Sequence, residues 1–304
     1  MNILITGGTG FLGERLISLL QADDTHTLYG LARSDKARHT LEKQGVIPVA
    51  ADLTDSEKIR EALKDLSVEV VFHLAAEIAS QRSKERLRSV NIEGTQNLFD
   101  AIRTHPELKS FIFASTVVTG EADGALLTEE VPLVVHTEYG RTKQTAERIL
   151  LDAHASDNFP AIVVRPCHIY GSGGWFGGVI HELKKGSLRM PGNGKNMWDV
   201  IHVDDCAAAF VTVMMRGEPG QIYHVADDTP ITMGEFMAET ARQAGVKPAG
   251  RAPRFLANLM LGRDTITSVM RSARTSNKKL RALGWSPSCP DYTTGLAKTF
   301  RNDA

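Results

Sequence analysis

The 304-residue sequence predicts an α/β protein: a doubly wound parallel sheet followed by a smaller, mostly helical C-terminal domain. Three observations carry that expectation. Short β-rich runs alternate with longer amphipathic ones through the first half of the chain. A glycine-rich turn joins the first strand to the first helix. After Pro166 the alternation gives way to glycine loops and proline-broken helical segments.

The elements follow in order. Ile3-Leu4-Ile5 centres a buried strand over Asn2–Thr6, and an apolar periodicity of helical spacing then runs over Phe11–Gln21. Further strands are expected at Thr27–Ala32, Val46–Ala50, Val68–Leu74, Ser110–Ala114 and Ala161–Arg165. Helices are expected between them at Asp35–Gln44, Ser56–Leu66, Arg82–Thr104 and Glu138–Ala155. Gly171–Gly178 and Pro191–Lys195 read as loops, Asp204–Met215 as a helix and Gln221–Ala226 as one more strand. From Asp227 onward, helical segments are broken by Pro230, Pro248, Pro253 and Pro287.

Composition excludes several classes of partner. Lys and Arg number 35 against 36 Asp and Glu, so no basic field calls for nucleic acid or an anionic membrane. No apolar run approaches the ~18 residues of a membrane-spanning helix. Cys167, Cys206 and Cys289 have neither paired nor metal-like spacing, which suits a reducing compartment and gives no metal site. The sequence begins on its first strand, without a secretory leader pattern. A cytoplasmic protein acting on a small molecule is expected.

Thr6-Gly7-Gly8-Thr9-Gly10-Phe11-Leu12-Gly13 lies between strand and helix, and Gly8, Gly10 and Gly13 satisfy G-x-G-x-x-G. Glycines there let backbone N–H groups and a helix N-terminus face a pyrophosphate with no Cβ in the way. Gly7, Gly10, Phe11, Leu12 and Gly13 are therefore candidate cofactor contacts. The end of the second strand selects the dinucleotide: an acid there would bond the ribose 2′-OH of NAD. The chain instead has Leu31-Ala32-Arg33-Ser34. Arg33 can pair with a 2′-phosphate and Ser34 can donate to it, which favours NADP(H) and leaves NAD(H) as the second choice. The alternative for Arg33 is a solvated surface residue. Asp52-Leu53 can meet the adenine; equally, Asp52 can cap the next helix. On this reading residues 1–165 and 198–226 bind the dinucleotide, and 166–197 and 227–304 bind the substrate.

Tyr139-Gly140-Arg141-Thr142-Lys143 sets Tyr139 and Lys143 at i and i+4, on one helix face. A free tyrosine is a poor proton exchanger at neutral pH, and a neighbouring ammonium favours its phenolate. Ser115 closes the strand Ser110–Ala114, at the edge where doubly wound sheets bind ligands, and its hydroxyl can bond a substrate oxygen. Each residue also has a plain structural reading, as a surface pair or a turn-capping serine.

Taken with His73-Leu74-Ala75-Ala76, Asn91 and Arg165-Pro166, these motifs fall in an order that resembles the extended short-chain dehydrogenases/reductases, the NAD(P)-dependent epimerase/dehydratase and dihydroflavonol reductase-like enzymes. The likeness runs on through Tyr170-Gly171, Val203-Asp204-Asp205 and Leu283-Gly284-Trp285. It implies a Rossmann-type sheet. Tyr139 becomes the acid/base, Ser115 the residue that positions the substrate oxygen, and Lys143 the group that holds the nicotinamide ribose and lowers the tyrosine pKa. Leu74, Ala75 and Ala76 pass the cofactor diphosphate and ribose, Pro166 faces the nicotinamide amide, and Asn91 serves the cofactor or braces the fold. Many relatives dimerise through the helices corresponding to Arg82–Thr104 and Glu138–Ala155, so a homodimer is expected. Leu98, Phe99, Ile102, Ile149 and Leu150 are candidates for its apolar face, as they are for the core.

Departures from the family pattern narrow the chemistry. Nucleotide-sugar 4,6-dehydratases carry Asp-Glu after the catalytic Ser/Thr, where this chain has Thr116-Val117. Many nucleotide-sugar enzymes place an arginine just before Asp199 to clamp a diphosphate; here Met197-Trp198 precede it. With Trp175, Phe176 and Met190, those residues suggest an apolar pocket, and Glu77, Thr116 and His168 also fall beside it. Core packing is the plain alternative for each of them. The expectation is an NADPH-dependent carbonyl reductase, with a sugar or nucleotide-sugar epimerase and a non-catalytic NADPH-binding regulator as alternatives.

Overall fold

The strands β1 (Asn2–Thr6), β2 (Thr27–Ala32), β3 (Ile47–Ala50), β4 (Val70–His73), β5 (Ser110–Ala114), β6 (Ala161–Pro166) and β7 (Ile222–Val225) form one sheet in the order β7-β6-β5-β4-β1-β2-β3. Every neighbouring pair is parallel. This computed structural model describes residues 1–118 and 125–301, and the backbone alone of 120–121 and 302. The chain steps outward from β1 to β3 and then returns to the other side of β1, so the order reverses between β1 and β4. At such a reversal doubly wound sheets bind ligands in a crevice at the carboxyl ends of the strands. Register fixes what meets there: Thr6 pairs with His73, and Ala114 with Val164. Gly7 and Leu74 therefore leave the sheet side by side, as do Ser115 and Arg165.

Alternation along each strand feeds two cores. Ile3 and Ile5 pack on one face with Leu16, Ile17 and Leu20 of α1 (Phe11–Leu20), Leu41 of α2 (Asp35–Lys43) and Phe210 of α8 (Val203–Arg216). Leu4, between them, packs on the other face with Ile59 and Leu63 of α3 (Ser56–Leu63), Leu98 and Ile102 of α5 (Gly94–Ile102) and Leu150 of α6 (Glu138–Asp157). Each such side chain, once buried, stabilises by about 1.5–3 kcal/mol. Leu98, Phe99, Ile102 and Leu150 thus belong to the sheet's own core and offer no dimer face; Ile149 is half-buried.

Two expected elements differ. The single helix over Arg82–Thr104 is α4 (Lys84–Arg88), a π-helical turn over Ser89–Glu93, and then α5. The Gly171–Gly178 loop stops early, because α7 starts at Gly174 and runs to Lys184. Tertiary packing decides this: buried Phe176, Ile180 and Leu183 recur at helical spacing and outweigh the poor helix propensity of the glycines.

A third core gathers Tyr170, Phe176, Met190, Trp198, Phe236 and Leu296 beside α7, α9 (Met233–Gln243) and α13 (Tyr292–Asn302). Short strand pairs tie this part together: His168–Tyr170 with Val200–His202, Met197–Trp198 with Ile231–Thr232, and Arg189–Pro191 with Gly250–Ala252. α10 (Arg254–Leu261) and α11 (Arg263–Val269) follow, and α12 (Lys278–Ala282) precedes α13. Among the described residues no helix is long and apolar enough to cross a membrane.

Candidate active site

Gly7 has a φ of +72°, and a Cβ there would come within 2.8 Å of the Ala75 amide nitrogen. At Gly13 a Cβ would overlap the Gly7 carbonyl oxygen. Both positions therefore exclude a side chain, and the turn lies flat against the segment leaving β4. Gly10 N–H closes the turn on Gly7 O at 3.0 Å, and the α1 N-terminus carries no side-chain cap. Leu12 packs against the first core, and the Phe11 ring lies under the glycine segment at 171–174.

Around this turn stand the residues expected to select the dinucleotide. Arg33 follows β2 and keeps 60% of its side chain exposed; its guanidinium reaches Glu77 Oε1 at 3.9 Å. Arg86 Nε meets the same oxygen at 3.1 Å. Glu77, expected in the substrate pocket, thus faces two cations. Ser34 caps α2, accepting from Ala37 N at 3.3 Å. Asp52 does not cap α3; Asp55 does, and Asp52 instead holds Thr54 N and Oγ1 at 2.9 and 2.8 Å. Leu53 lies in the second core.

The loop after β4 is held by a buried polar relay. Thr6 Oγ1 meets His73 Nδ1 at 2.7 Å, His73 Nε2 meets Thr95 Oγ1 at 2.9 Å, and Thr95 donates to Asn91 O at 2.8 Å. Burial pushes the His73 imidazole down to about 3, so the relay runs through a neutral ring. Thr6 Oγ1 also accepts from Ala75 N at 3.2 Å, which fixes the Leu74–Ala76 segment beside the glycine turn. Asn91, in the π turn, clasps both backbone groups of Glu77, at 2.8 and 2.9 Å, and donates to Thr142 of α6 at 3.0 Å. It braces the loop against the helix that carries Tyr139 and Lys143.

Lys143 is 2% exposed, with its Nζ 4.0 Å above the Phe113 ring of β5. One turn further along α6, Glu147 is locked to Arg165, which donates through Nε at 2.9 Å. Burial pushes Lys143 down to about 7, and Glu147 opposes this in part. Tyr139, one turn before Lys143, is pushed up to about 12 by burial. The expected lowering of the tyrosine by the lysine is therefore reversed here: desolvation disfavours both charged forms. Ser115 is 7% exposed, and its hydroxyl has no hydrogen-bond partner among the described residues. A buried hydroxyl without a partner at the end of a central strand suits an oxygen brought by a ligand.

Beyond Ser115, Thr116 turns its hydroxyl to Pro166 O at 3.3 Å and accepts from Val118 N at 3.0 Å, which stitches β5 to β6. His168 stacks on Trp198 at 4.4 Å and meets Asp199 O through Nδ1 at 3.2 Å. Trp198, Phe176 and Met190 sit in the third core, where packing accounts for them. Trp175 stays 39% exposed, bonded to Ile169 O at 2.6 Å, and Met197 is half-buried. Arg271, itself 2% exposed, reaches Asp199 at 3.9 Å.

Residues 3–226 match the model of the NAD dependent epimerase/dehydratase family. The chain belongs to that family. Among its relatives, a 3-diazoavenalumate denitrifying reductase from a Streptomyces species is 28% identical over 98% of this chain and 100% of its own length. A 4-hydroxy-2-methyl-3-oxo-4-farnesyl-3,4-dihydroquinoline-1-oxide ketoreductase from Stigmatella aurantiaca is 25% identical over 81% of this chain and 74% of its own. Among solved structures, the Thermus thermophilus UDP-glucose 4-epimerase in complex with NAD is 26% identical, with a TM-score of 0.83 and full coverage of both chains. Reductases, epimerases and dehydratases are all represented among similar proteins.

For this family member, sequence reading missed the relay through Thr95, the second arginine on Glu77 and the contact of Asp264 with α6. Each joins residues far apart in the chain through side chains of ordinary type. The Asn91 brace alone had a local signal, its place in the family's motif order.

Proposed function

We propose that this protein is an NADPH-dependent oxidoreductase that reduces the carbonyl group of a small, partly apolar substrate. The observation that best supports the reading is geometric: buried Ser115, its hydroxyl without a hydrogen-bond partner among the described residues, closes the strand whose Phe113 ring lies under Lys143, one helical turn from Tyr139, a phenol that can give a proton to a carbonyl oxygen.

The residues fit a dinucleotide. The uncapped α1 N-terminus and the glycine turn, where side chains are excluded at Gly7 and Gly13, suit a diphosphate held by Gly7, Gly10, Phe11, Leu12 and Gly13. Arg33 and Ser34 would hold a 2′-phosphate, Asp52 and Leu53 the adenine, Leu74, Ala75 and Ala76 the ribose side, and Pro166 the carboxamide. When bound, the nicotinamide supplies the hydride. Tyr139 gives its phenolic proton to the substrate oxygen, and the unpartnered Ser115 hydroxyl donates to the same oxygen as charge develops on it. Lys143 in its ammonium form stabilises the phenolate left behind and holds the ribose. The dry wall formed by Phe113 strengthens each of these interactions. Within this proposal residues 1–165 and 198–226 serve the cofactor, the remainder serves the substrate, and the protein acts as a cytoplasmic homodimer.

A second reading is a sugar or nucleotide-sugar epimerase that retains its dinucleotide. The likeness to the Thermus epimerase supports it equally, and Arg271 sets a guanidinium beside Asp199. A non-catalytic NADPH-binding regulator is disfavoured by the joint presence of Ser115, Tyr139 and Lys143. The test is NADPH and NADH consumption by the purified protein over a panel of ketones, aldehydes and thioesters. Carbonyl-dependent NADPH oxidation is the expected result; none across the panel, with sugars interconverted instead, moves the assignment to the epimerase.

A further inference from the structure

The first turn of α6, which carries Tyr139, is completed by a residue from the far end of the chain. Thr137 caps the helix in the ordinary way, accepting from Gly140 N at 3.0 Å. The two preceding amides are the orphan donors that a helix N-terminus leaves open. Asp264 of α11 takes both: its Oδ2 accepts from Glu138 N at 2.7 Å and from Tyr139 N at 3.4 Å. Glu138, the other acid nearby, is engaged with Arg88 at 2.9 Å and Arg141 at 3.2 Å. A carboxylate at this end also complements the helix dipole.

α11 reaches the other walls of the crevice as well. Thr265 Oγ1 donates to Ala79 O at 3.1 Å, on the segment that follows Ala75 and Glu77. At its other end the Val269 carbonyl accepts from Trp198 Nε1 at 2.8 Å and from Asn196 Nδ2 at 3.1 Å. Ile266, between them, is fully buried. One short helix thus touches the tyrosine's helix, the cofactor-side loop and the Trp198–His168 wall.

We infer that Asp264 is a positioning residue that seats Tyr139 and ties its placement to α11. The inference rests on Tyr139 being the proton donor of the proposed reduction. Asp264 touches no reacting atom; it acts through the backbone amide of Tyr139 itself, so its loss moves the phenol relative to Ser115 without altering the glycine turn or Arg33.

The experiment compares Asp264→Ala and Asp264→Asn with the wild type in NADPH oxidation by 9,10-phenanthrenequinone, an apolar dicarbonyl, together with NADPH titration. Asp264→Ala should lower kcat roughly ten- to a hundredfold, as small misplacements of catalytic groups do, with the Kd for NADPH within about twofold of wild type. Asp264→Asn, whose amide oxygen can accept the same two N–H groups, should restore kcat to within about threefold. A wild-type kcat in the alanine variant overturns the inference. So does a loss of kcat and NADPH affinity together with no rescue by asparagine, the pattern of a merely structural residue. If the alanine variant does not fold, Asp264→Glu carries the test: same charge, longer reach, and kcat down about fivefold at unchanged NADPH affinity, with unchanged kcat counting against the inference. A wild type that oxidises no NADPH with the quinone or with the carbonyl panel removes the reductase reading, and this inference with it; an active wild type beside an unaffected alanine variant removes the inference alone.

Discussion

The two ends of the crevice differ in their access to water. At the end proposed to select the cofactor, Arg33 keeps 60% of its side chain exposed and meets Glu77 only at 3.9 Å. At the chemical end Lys143 and Ser115 are 2% and 7% exposed, and burial moves Tyr139 to about 12 and Lys143 to about 7. Exposed charges are screened and pair weakly, so the first end can release its internal partner for a phosphate at little cost. Buried groups keep the full effect of their neighbours, so the second end can set protonation states. Under the proposed function, binding preference and proton transfer would be controlled from opposite ends of one sheet edge, and substitutions at each end should separate them.

The largest separation is expected from Tyr139→Phe. Removal of the proton donor should lower carbonyl-dependent NADPH oxidation by roughly 10³-fold while leaving the Kd for NADPH within about twofold. A parallel loss of both would erase the distinction between the ends.

Lys143 supplies the next test. In the proposed reaction its ammonium stabilises the tyrosine's phenolate; with a pKa of about 7 that form is present below neutrality and lost above it. kcat/KM for reduction should therefore fall as pH rises through about 7. Lys143→Arg keeps its charge at all working pH values and should move that fall upward by about two units or more, at a lower plateau. The same falling limb in both proteins would show that Lys143 is not the titrating group.

At the wet end, Arg33→Ala should reduce the preference for NADPH over NADH about tenfold, the worth of one charge-assisted phosphate contact, with kcat little changed. An unchanged ratio in paired titrations would assign the preference elsewhere. The smallest effect is expected away from both ends. Gly178 lies inside α7, and a Cβ added there would meet nothing within 4 Å. Gly178→Ala should therefore stabilise the fold by about 0.5–1 kcal/mol in denaturant unfolding and spare activity. A loss of turnover there would draw α7 into the site.

How far sequence reveals these features follows the same physics. The sheet was legible because each strand and its helix carry their own periodicity: Ile3, Leu4 and Ile5 divide between two cores as alternation requires. The glycine turn and the Tyr139–Lys143 spacing are equally local. The pKa reversal was not legible, since it depends on the burial that Phe113 and its neighbours impose rather than on spacing along α6. The partners of Glu77 were hidden for a related reason: Arg33 and Arg86 come from β2's end and α4, and only the fold brings them to one carboxylate oxygen. The substrate side is built from strand pairs distant in sequence, such as Met197–Trp198 with Ile231–Thr232, so its aromatic residues could be counted but not divided between pocket and core. Trp198 and Met190 proved to be core, and the break in the Arg82–Thr104 helix became intelligible only with Asn91 in place between Glu77 and Thr142.

The proposed use of a dissociable NADPH for net reduction is tested most directly by the dinucleotide content of the purified protein, followed by titration with NADPH and NADH. Protein that emerges free of cofactor and binds NADPH about tenfold more tightly than NADH, or better, is the predicted result. Protein that emerges with stoichiometric NAD⁺ resistant to dialysis would contradict it and identify a retained redox cofactor, as an epimerase requires.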